Sequence, residues 1–290
     1  MTVVISDRRL TTSRSATLTQ KASAWCGPGV IVVCLIGLAL CAGFAPPPAP
    51  LTSPAGIAAI FQERIFGIRT GMMVMVLGAA LLGPFFAVIS VQMRRIEGPR
   101  PTLAYAQLVL GACFILEIIL PMMALQTAAF RPDRDAAIQQ TLHDMGWLTF
   151  FGVASTGFVQ LVIIGVVILQ DTQPAPVMPR WAGYFNIWVG FAFFPGTVMI
   201  YFKSGPFAWD GVFIFWIPFT AFFLWLLIMP FVLCRAIDSE QAADESAGGA
   251  GEQLPDTAIA ELRAQMAALQ ARVEDYSAGS DNRSATTSTS

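Results

Sequence analysis

Apolar residues run in six long blocks, at about 26–45, 69–92, 103–126, 146–169, 182–202 and 212–234, with short stretches rich in Pro, Gly, Arg and Asp between them. Each block reaches the roughly 20 residues that an α-helix needs to cross about 30 Å of hydrocarbon. The separators carry helix-ending signals: "APPPAP" after the first block, "RRIEGPRP" between the second and third, and "QPAPVMPR" ahead of the fifth. Lipid offers no partner to a bare backbone group, so an apolar block of this length predicts a helix that satisfies its own hydrogen bonds. The predicted fold is all-α, a six-helix transmembrane bundle over residues 25–237 in contact with the lipid bilayer.

The pattern changes outside the bundle. Residues 1–24 lack an apolar period and predict a disordered cytoplasmic N-terminus. Residues 238–255, with "SAGGAGEQ", predict a flexible linker. Over 256–276 the apolar positions Ile259, Leu262, Met266, Leu269 and Val273 recur at intervals of 3, 4, 3 and 4. That is an a/d heptad pattern with Asp256 as N-cap, and it predicts a short cytoplasmic C-terminal coiled-coil-like helix. Helices this short are marginal alone in water, so the pattern implies a homo-oligomer or a protein partner. Residues 277–290 are polar throughout and predict a disordered tail.

Composition fits a membrane body. Only 12% of the 290 residues are charged, against about 25% in soluble domains. Residues 1–237 hold fourteen basic and nine acidic side chains, residues 238–290 three basic and ten acidic. No basic patch suggests nucleic acid. The cations also orient the bundle, because loops facing the cytoplasm are enriched in Lys and Arg. With the N-terminus inside, nine cations (Arg8, Arg9, Arg14, Lys21, Arg94, Arg95, Arg100, Arg180 and Arg235) fall on the cytoplasmic side and five (Arg64, Arg69, Arg131, Arg134 and Lys203) opposite. Both termini are then expected in the cytoplasm. Arginine outnumbers lysine fifteen to two and alanine is abundant, which points to a GC-rich bacterial genome, and with six helical spans the expected location is the bacterial inner membrane. An alternative reads residues 14–45 as a signal peptide ending at "GFA", which leaves five spans.

Familiar membrane chemistries find little support. The chain has one histidine, His143, placed by this reading in the loop before the fourth span. Bis-histidine haem ligation and HExxH metalloproteases need two. No GxSxG elbow, phosphate-binding loop or dinucleotide fingerprint occurs, and the five cysteines form no CxxC pair. No catalytic residue, metal site or cofactor is therefore assigned. In "FRPDRDAAIQQTLHDMGW" the residues Asp133, Asp135, His143 and Asp144 could together bind a cation, but with Arg131 and Arg134 as partners they read as solvated loop charges, with Asp133 as the cap of a short helix.

One carboxylate stands out. Glu117 interrupts "CFILEIILPMM", and a carboxylate inside a bilayer is costly enough to turn towards the protein. Ala106, Leu110, Cys113, Glu117, Pro121 and Ala124 share a helix face rich in small residues, which places Glu117 inside the bundle, about 10–13 Å from the outer boundary. Thr149, Gly152, Thr156 and Gln160 form a polar stripe on the fourth span, with Ser155 beside it. Pro195–Gly196 in the fifth span and Pro218 in the sixth fall near the same level, where a proline frees a backbone carbonyl. Glu117, Ser155, Thr156, Gln160, Pro195 and Gly196 are the candidate intramembrane polar site. Structural polar packing is the competing reading.

The segment "PRWAGYFNIWVGFAFFPGTVMIYFKSGPFAWDGVFIFWIPF", Pro179–Phe219, resembles the fifth and sixth spans of a group of multi-span bacterial membrane proteins without an assigned activity. "RPDRD…LHDMGW", Arg131–Trp147, is similar to the segment before their fourth span. The resemblance implies fold and location over residues 25–237 and carries no catalytic residue. The functional expectation is a non-enzymatic membrane component: a small-solute or proton-coupled transporter, or its accessory subunit. A scaffold acting through the C-terminal helix is the alternative, and a lipid-modifying enzyme the third reading.

Overall fold

The computed structural model describes the backbone of residues 2–252 and 263–270, and side chains over 15–246 and 263–270. It divides into two units, Met1–Ser239 and Glu240–Ser290. Among the described residues every regular element is helical: α1 (Thr2–Cys34) running into a π-helical stretch (Leu35–Ala42), α2 (Pro54–Glu63), α3 (Ile65–Ala79), α4 (Leu82–Glu97), α5 (Thr102–Phe130), α6 (Ala136–Gly152), α7 (Ser155–Gln170), α8 (Arg180–Phe193) running into a 3-10 stretch (Phe194–Tyr201), and a π-helical stretch (Val212–Trp216) leading into α9 (Ile217–Glu252).

Six helical segments are long and apolar enough to cross a membrane: Ser15–Ala42, Ile65–Glu97, Thr102–Phe130, Ala136–Gln170, Arg180–Tyr201 and Val212–Ser246. The chain is thus a multi-pass membrane protein by length and composition. Five of the six spans are composites; the first passes from α1 into π-helix and the fifth from α8 into 3-10 helix. The second joins α3 and α4 through a turn at Ala80–Leu81, the fourth joins α6 and α7 across Val153–Ala154, and the sixth opens with the π-helical stretch.

The structure departs from expectation at both ends of the bundle. α1 begins at Thr2 where composition predicted a disordered arm to residue 24, and no Pro or Gly precedes Gly27 to break it. α9 runs to Glu252, through most of the expected linker. Of the heptad positions, Met266 and Leu269 lie in a helical stretch and are 60% and 62% exposed, while Ile259, Leu262 and Val273 fall outside the described residues, as do Asp256 and the tail 277–290.

α2 is an element that the apolar blocks did not reveal. Ser53 caps it by accepting a hydrogen bond from the Gly56 N–H at 3.2 Å, Pro54 occupies its first position, and Ile57 and Phe61 are buried. The 131–147 loop is also largely helix. α6 starts at Ala136, capped by Asp135 rather than Asp133: its Oδ1 accepts from the N–H groups of Ala137 (2.9 Å) and Ile138 (3.4 Å). His143 is therefore a buried helical residue, correcting its loop placement. Its Nε2 accepts from Trp147 Nε1–H at 2.9 Å, and Phe44, Phe61 and Trp209 ring it at centroid distances of 6.0–6.5 Å.

Small residues set the tightest seams. A Cβ on Gly165 of α7 would come within 2.6 Å of the Gly183 carbonyl on α8, and one on Gly183 within 3.0 Å of the Gly165 carbonyl. Gly71 on α3 and Gly37 on the first span meet in the same way. Close backbone approach through small residues drives helix association where lipid cancels the hydrophobic effect. Bulk fills the remaining space, with Trp147, Trp225, Phe85 and Phe86 almost wholly buried.

Candidate functional site

Glu117 lies roughly halfway along α5, a helix of 29 residues. It is half-buried at the edge of the packed face, with Cys113 and Leu116 exposed on one side and Ile118 and Pro121 buried on the other. Its helix runs further than the predicted 103–126, so 13 residues rather than 9 follow Glu117 before the helix ends. Thr156, in the first turn of α7, donates its hydroxyl to Glu117 Oε1, the one hydrogen bond the carboxylate makes among the described residues. Gly157 makes that meeting possible. A Cβ there would press to 2.9 Å from Phe114 and push α7 off α5.

The other predicted members distribute around this pair. Ser155 is exposed. Gln160 is buried one turn further along α7, and its Nε2 points at Gly111 of α5 without a protein partner among the described residues. It does not bond Glu117. Thr149 closes its hydroxyl on its own helix, to the carbonyls of Met145 and Gly146. Gly196 is buried and shares a cavity with Glu117, whereas Pro195 is the second residue of the 3-10 stretch beside it.

That cavity is partly open, about 70 Å³, and lies where all six spans meet: Cys34, Met75, Glu117, Phe151, Gly196 and Pro218 each bring one span to its wall. Phe side chains from α5 to α9 supply most of the rest. Four irregularities of the spans converge on it. α1 gives way to π-helix after Cys34, α6 and α7 part at Val153–Ala154, α8 turns to 3-10 after Phe193, and the sixth span changes from π- to α-helix at Ile217. The break in the fourth span was invisible in sequence, because neither Val153 nor Ala154 is a helix-breaking type.

Glu117 faces a second space as well. On the surface of the bundle, α5 and the α6–α7 span leave a groove of about 590 Å³, with Leu120, Met123, Met145 and Thr149 among its walls and Glu117, Thr156 and Val153 at its floor. Leu116, Leu120 and Met145 expose half or more of their surface there. Glu117 and Val153 line both spaces, so they form the partition between the open groove and the central cavity.

The outer loop does not assemble a cation site. Asp135 is used as a cap, and Asp144 lies 3.3 Å from His143 Nδ1. Arg134 reaches the Thr127 carbonyl rather than an aspartate. Among the described residues no three His, Cys, Asp or Glu side chains gather as a metal site.

Several polar residues join the spans: Asn186, readable in "GYFNIW" as a cap or interfacial residue, lies instead in the core, and Ser90, Glu97 and Gln107 escaped the sequence reading. Asn186 on α8 is fully buried: its Nδ2 donates to the Ala182 carbonyl, and its Oδ1 accepts from Trp225 Nε1–H at 2.8 Å. Glu97 accepts from the N–H groups of Leu103 and Ala104 and so caps α5. Ser90 on α4 bonds Gln107 and the Ala104 carbonyl on α5. A Ser, Asn or Gln inside an apolar block was the available signal.

No protein-family model, curated protein or solved structure matches this chain, so the resemblance seen in Pro179–Phe219 and Arg131–Trp147 gains no family assignment.

Proposed function

We propose that this membrane protein is a transporter, or the membrane subunit of one, that moves protons or a proton-coupled small solute through the site at Glu117. The observation that carries the reading is the convergence of four helix irregularities on one cavity at whose edge the carboxylate stands. Irregular backbone at membrane depth is tolerated where it lines a cavity, and interrupted helices place binding sites near the bilayer midplane in many transporters. An ionisable residue in a span is a functional hypothesis by default, and Glu117 has no Lys or Arg near a span centre to neutralise it. The cavity holds about two waters' worth of volume, at roughly 30 Å³ each. That suits a proton and its hydration, while a solute would reach Glu117 from the wider groove.

In this reading Thr156 orients the carboxylate, Gly157 and Gly196 keep α7 and the fifth span close, and the breaks at Val153–Ala154 and Phe193–Phe194 are where the spans bend. The bundle is oriented with the end bearing Lys21, Arg94, Arg95 and Arg235 in the cytoplasm of a bacterial inner membrane.

The test is proton entry into vesicles carrying the purified full chain, driven by a potassium diffusion potential. Wild type should exceed protein-free vesicles, and Glu117→Gln should fall to their level. Equal flux in wild type and variant would overturn the proposal. A scaffold role has one observation of its own, the exposure of Met266 and Leu269 on one helical stretch. Under that reading removal of residues 250–290 changes the oligomeric state or the bound partners and leaves flux untouched.

A further inference from the structure

We infer that the groove between α5 and the α6–α7 span is a lateral entrance from the bilayer for an amphiphile with an apolar body and a primary or secondary amine head, which pairs with Glu117. The inference rests on the reading of Glu117 as the substrate-handling group and adds the class of substrate and its route.

The groove's volume of about 590 Å³ falls within the range of roughly 300–1,000 Å³ typical of sites for drug-sized ligands. Its lining is largely apolar, and the oxygen-bearing exceptions are Thr127, Thr149 and the pair in which Glu117 meets Thr156. That arrangement matches a ligand with one polar end. Glu117 Oε1 already accepts from Thr156, while Oε2 has no hydrogen-bond partner among the described residues. An acceptor at this depth selects a donor, and a carboxylate selects a donor that carries positive charge, because charge-assisted hydrogen bonds are about twice as strong as neutral ones.

Two other occupants fit less well. A second copy of the chain offers the groove no cation, since no Lys or Arg lies near a span centre. A phospholipid brings an amine only at headgroup level, whereas Glu117 is about 20 Å of helix from the end of α5 at Phe130. The occupant must carry its amine into the hydrocarbon, which favours a single apolar body with a small head.

The experiment uses the purified full chain in lipid nanodiscs and a dodecylamine derivative bearing a diazirine on its chain. Labelling is mapped to peptides by mass spectrometry, with unlabelled dodecylamine or dodecanol as competitor. In wild type, α5 and α6 peptides should be labelled, and the amine should compete about tenfold better than the alcohol, the preference expected of one charged hydrogen bond. Glu117→Gln keeps an oxygen for Thr156 and should abolish the preference. Leu120→Trp fills the groove from its exposed wall and should reduce labelling while Glu117 stays intact. An unchanged melting temperature in either variant excludes misfolding as the cause.

Equal competition by amine and alcohol in wild type would show that the groove takes acyl chain as solvent, and would overturn the inference. So would labelling confined to other spans, or a preference retained in Glu117→Gln. The proton-flux assay separates the two proposals. An amine preference without flux dependent on Glu117 leaves the binding site and removes transport, and flux dependent on Glu117 without a preference does the reverse.

Discussion

At the scale of single residues, buried polar side chains carry more information here than exposed charges. Asn186 and Trp225 illustrate it. The amide of Asn186 satisfies the Trp225 indole N–H between α8 and α9, with both residues almost wholly buried. Removing either partner strands a donor or an acceptor away from water. In membranes such cross-helix bonds average about 0.6 kcal/mol and reach roughly 1.7 kcal/mol in double-mutant cycles, because the alternative state also finds partners. Asn186→Leu and Trp225→Phe should each lower the stability of the solubilised protein. The double variant should lose less than the sum, by about 0.6–1.7 kcal/mol, in equilibrium unfolding by a denaturing detergent. Strict additivity would show that the bond contributes nothing. Glu117 was legible in sequence because one carboxylate in an apolar run is visible without any contact. Its partner Thr156 was legible from stripe spacing, whereas Gln160 on the same stripe makes no bond to Glu117. A turn of α7 separates them, and Gln160 packs against Gly111 instead. Spacing identifies a face and leaves open which neighbour the side chain reaches across that face.

At the scale of elements, the spans were legible as runs of apolar length, and their interruptions were not. A hydropathy block of 24 residues reads the same whether its backbone is one α-helix or two helices joined at Val153–Ala154. The break depends on what packs around it: the Phe151 carbonyl lies where a Cβ on Gly196 would come within 2.2 Å, so the fifth span crosses the fourth at that point. α2 was missed for the opposite reason. Its ten residues are too few for a span, although Ser53–Pro54 gave a usable cap and first-turn signal. Glycine seams give a direct test of how elements hold together. Gly165→Ala drives a methyl group towards the Gly183 carbonyl and should cost about 1–3 kcal/mol, the usual penalty for overpacking, read as a lower Tm in detergent. Gly83→Ala on α4 meets nothing within 4 Å and should leave Tm unchanged or raised, since Ala favours helix over Gly by about 0.5–1 kcal/mol. If both changes act alike, helix propensity rather than close approach decides the effect of glycine in these spans.

At the scale of the whole molecule, the tie between the two ends of the first unit constrains topology. Lys21 near the start of the first span pairs with Asp238 near the end of the sixth at 2.5 Å. Around them Gln20 meets Gln92, Arg95 reaches the Ala236 carbonyl, and Gln173 reaches the Arg95 carbonyl. The start of the first span, the end of the second, the α7–α8 connection and the end of the sixth therefore share one end of the bundle. The opposite end gathers Phe44, Thr52, Phe61, Gln140, His143 and Trp209, while Arg69 there binds the carbonyls of Ala129 and Phe130. This is the up-and-down order that six spans require, and an even number of crossings puts both ends of the unit on one side. The bundle alone does not choose the side; the cation excess supplies only an expectation. Charges that remain in the cytoplasm avoid being driven across the membrane during insertion, so the richer end is expected inside. A Cys-free version carrying Asp133→Cys should react with a membrane-impermeant maleimide in intact spheroplasts, and one carrying Ala175→Cys only after lysis. Both positions are exposed, and they lie in loops at opposite ends of the bundle. The reverse pattern would invert the molecule and turn the outer half of the groove towards the cytoplasmic leaflet, so that an amine entering beside Glu117 would be drawn from the inner monolayer. Labelling of both in intact cells would contradict the up-and-down order itself.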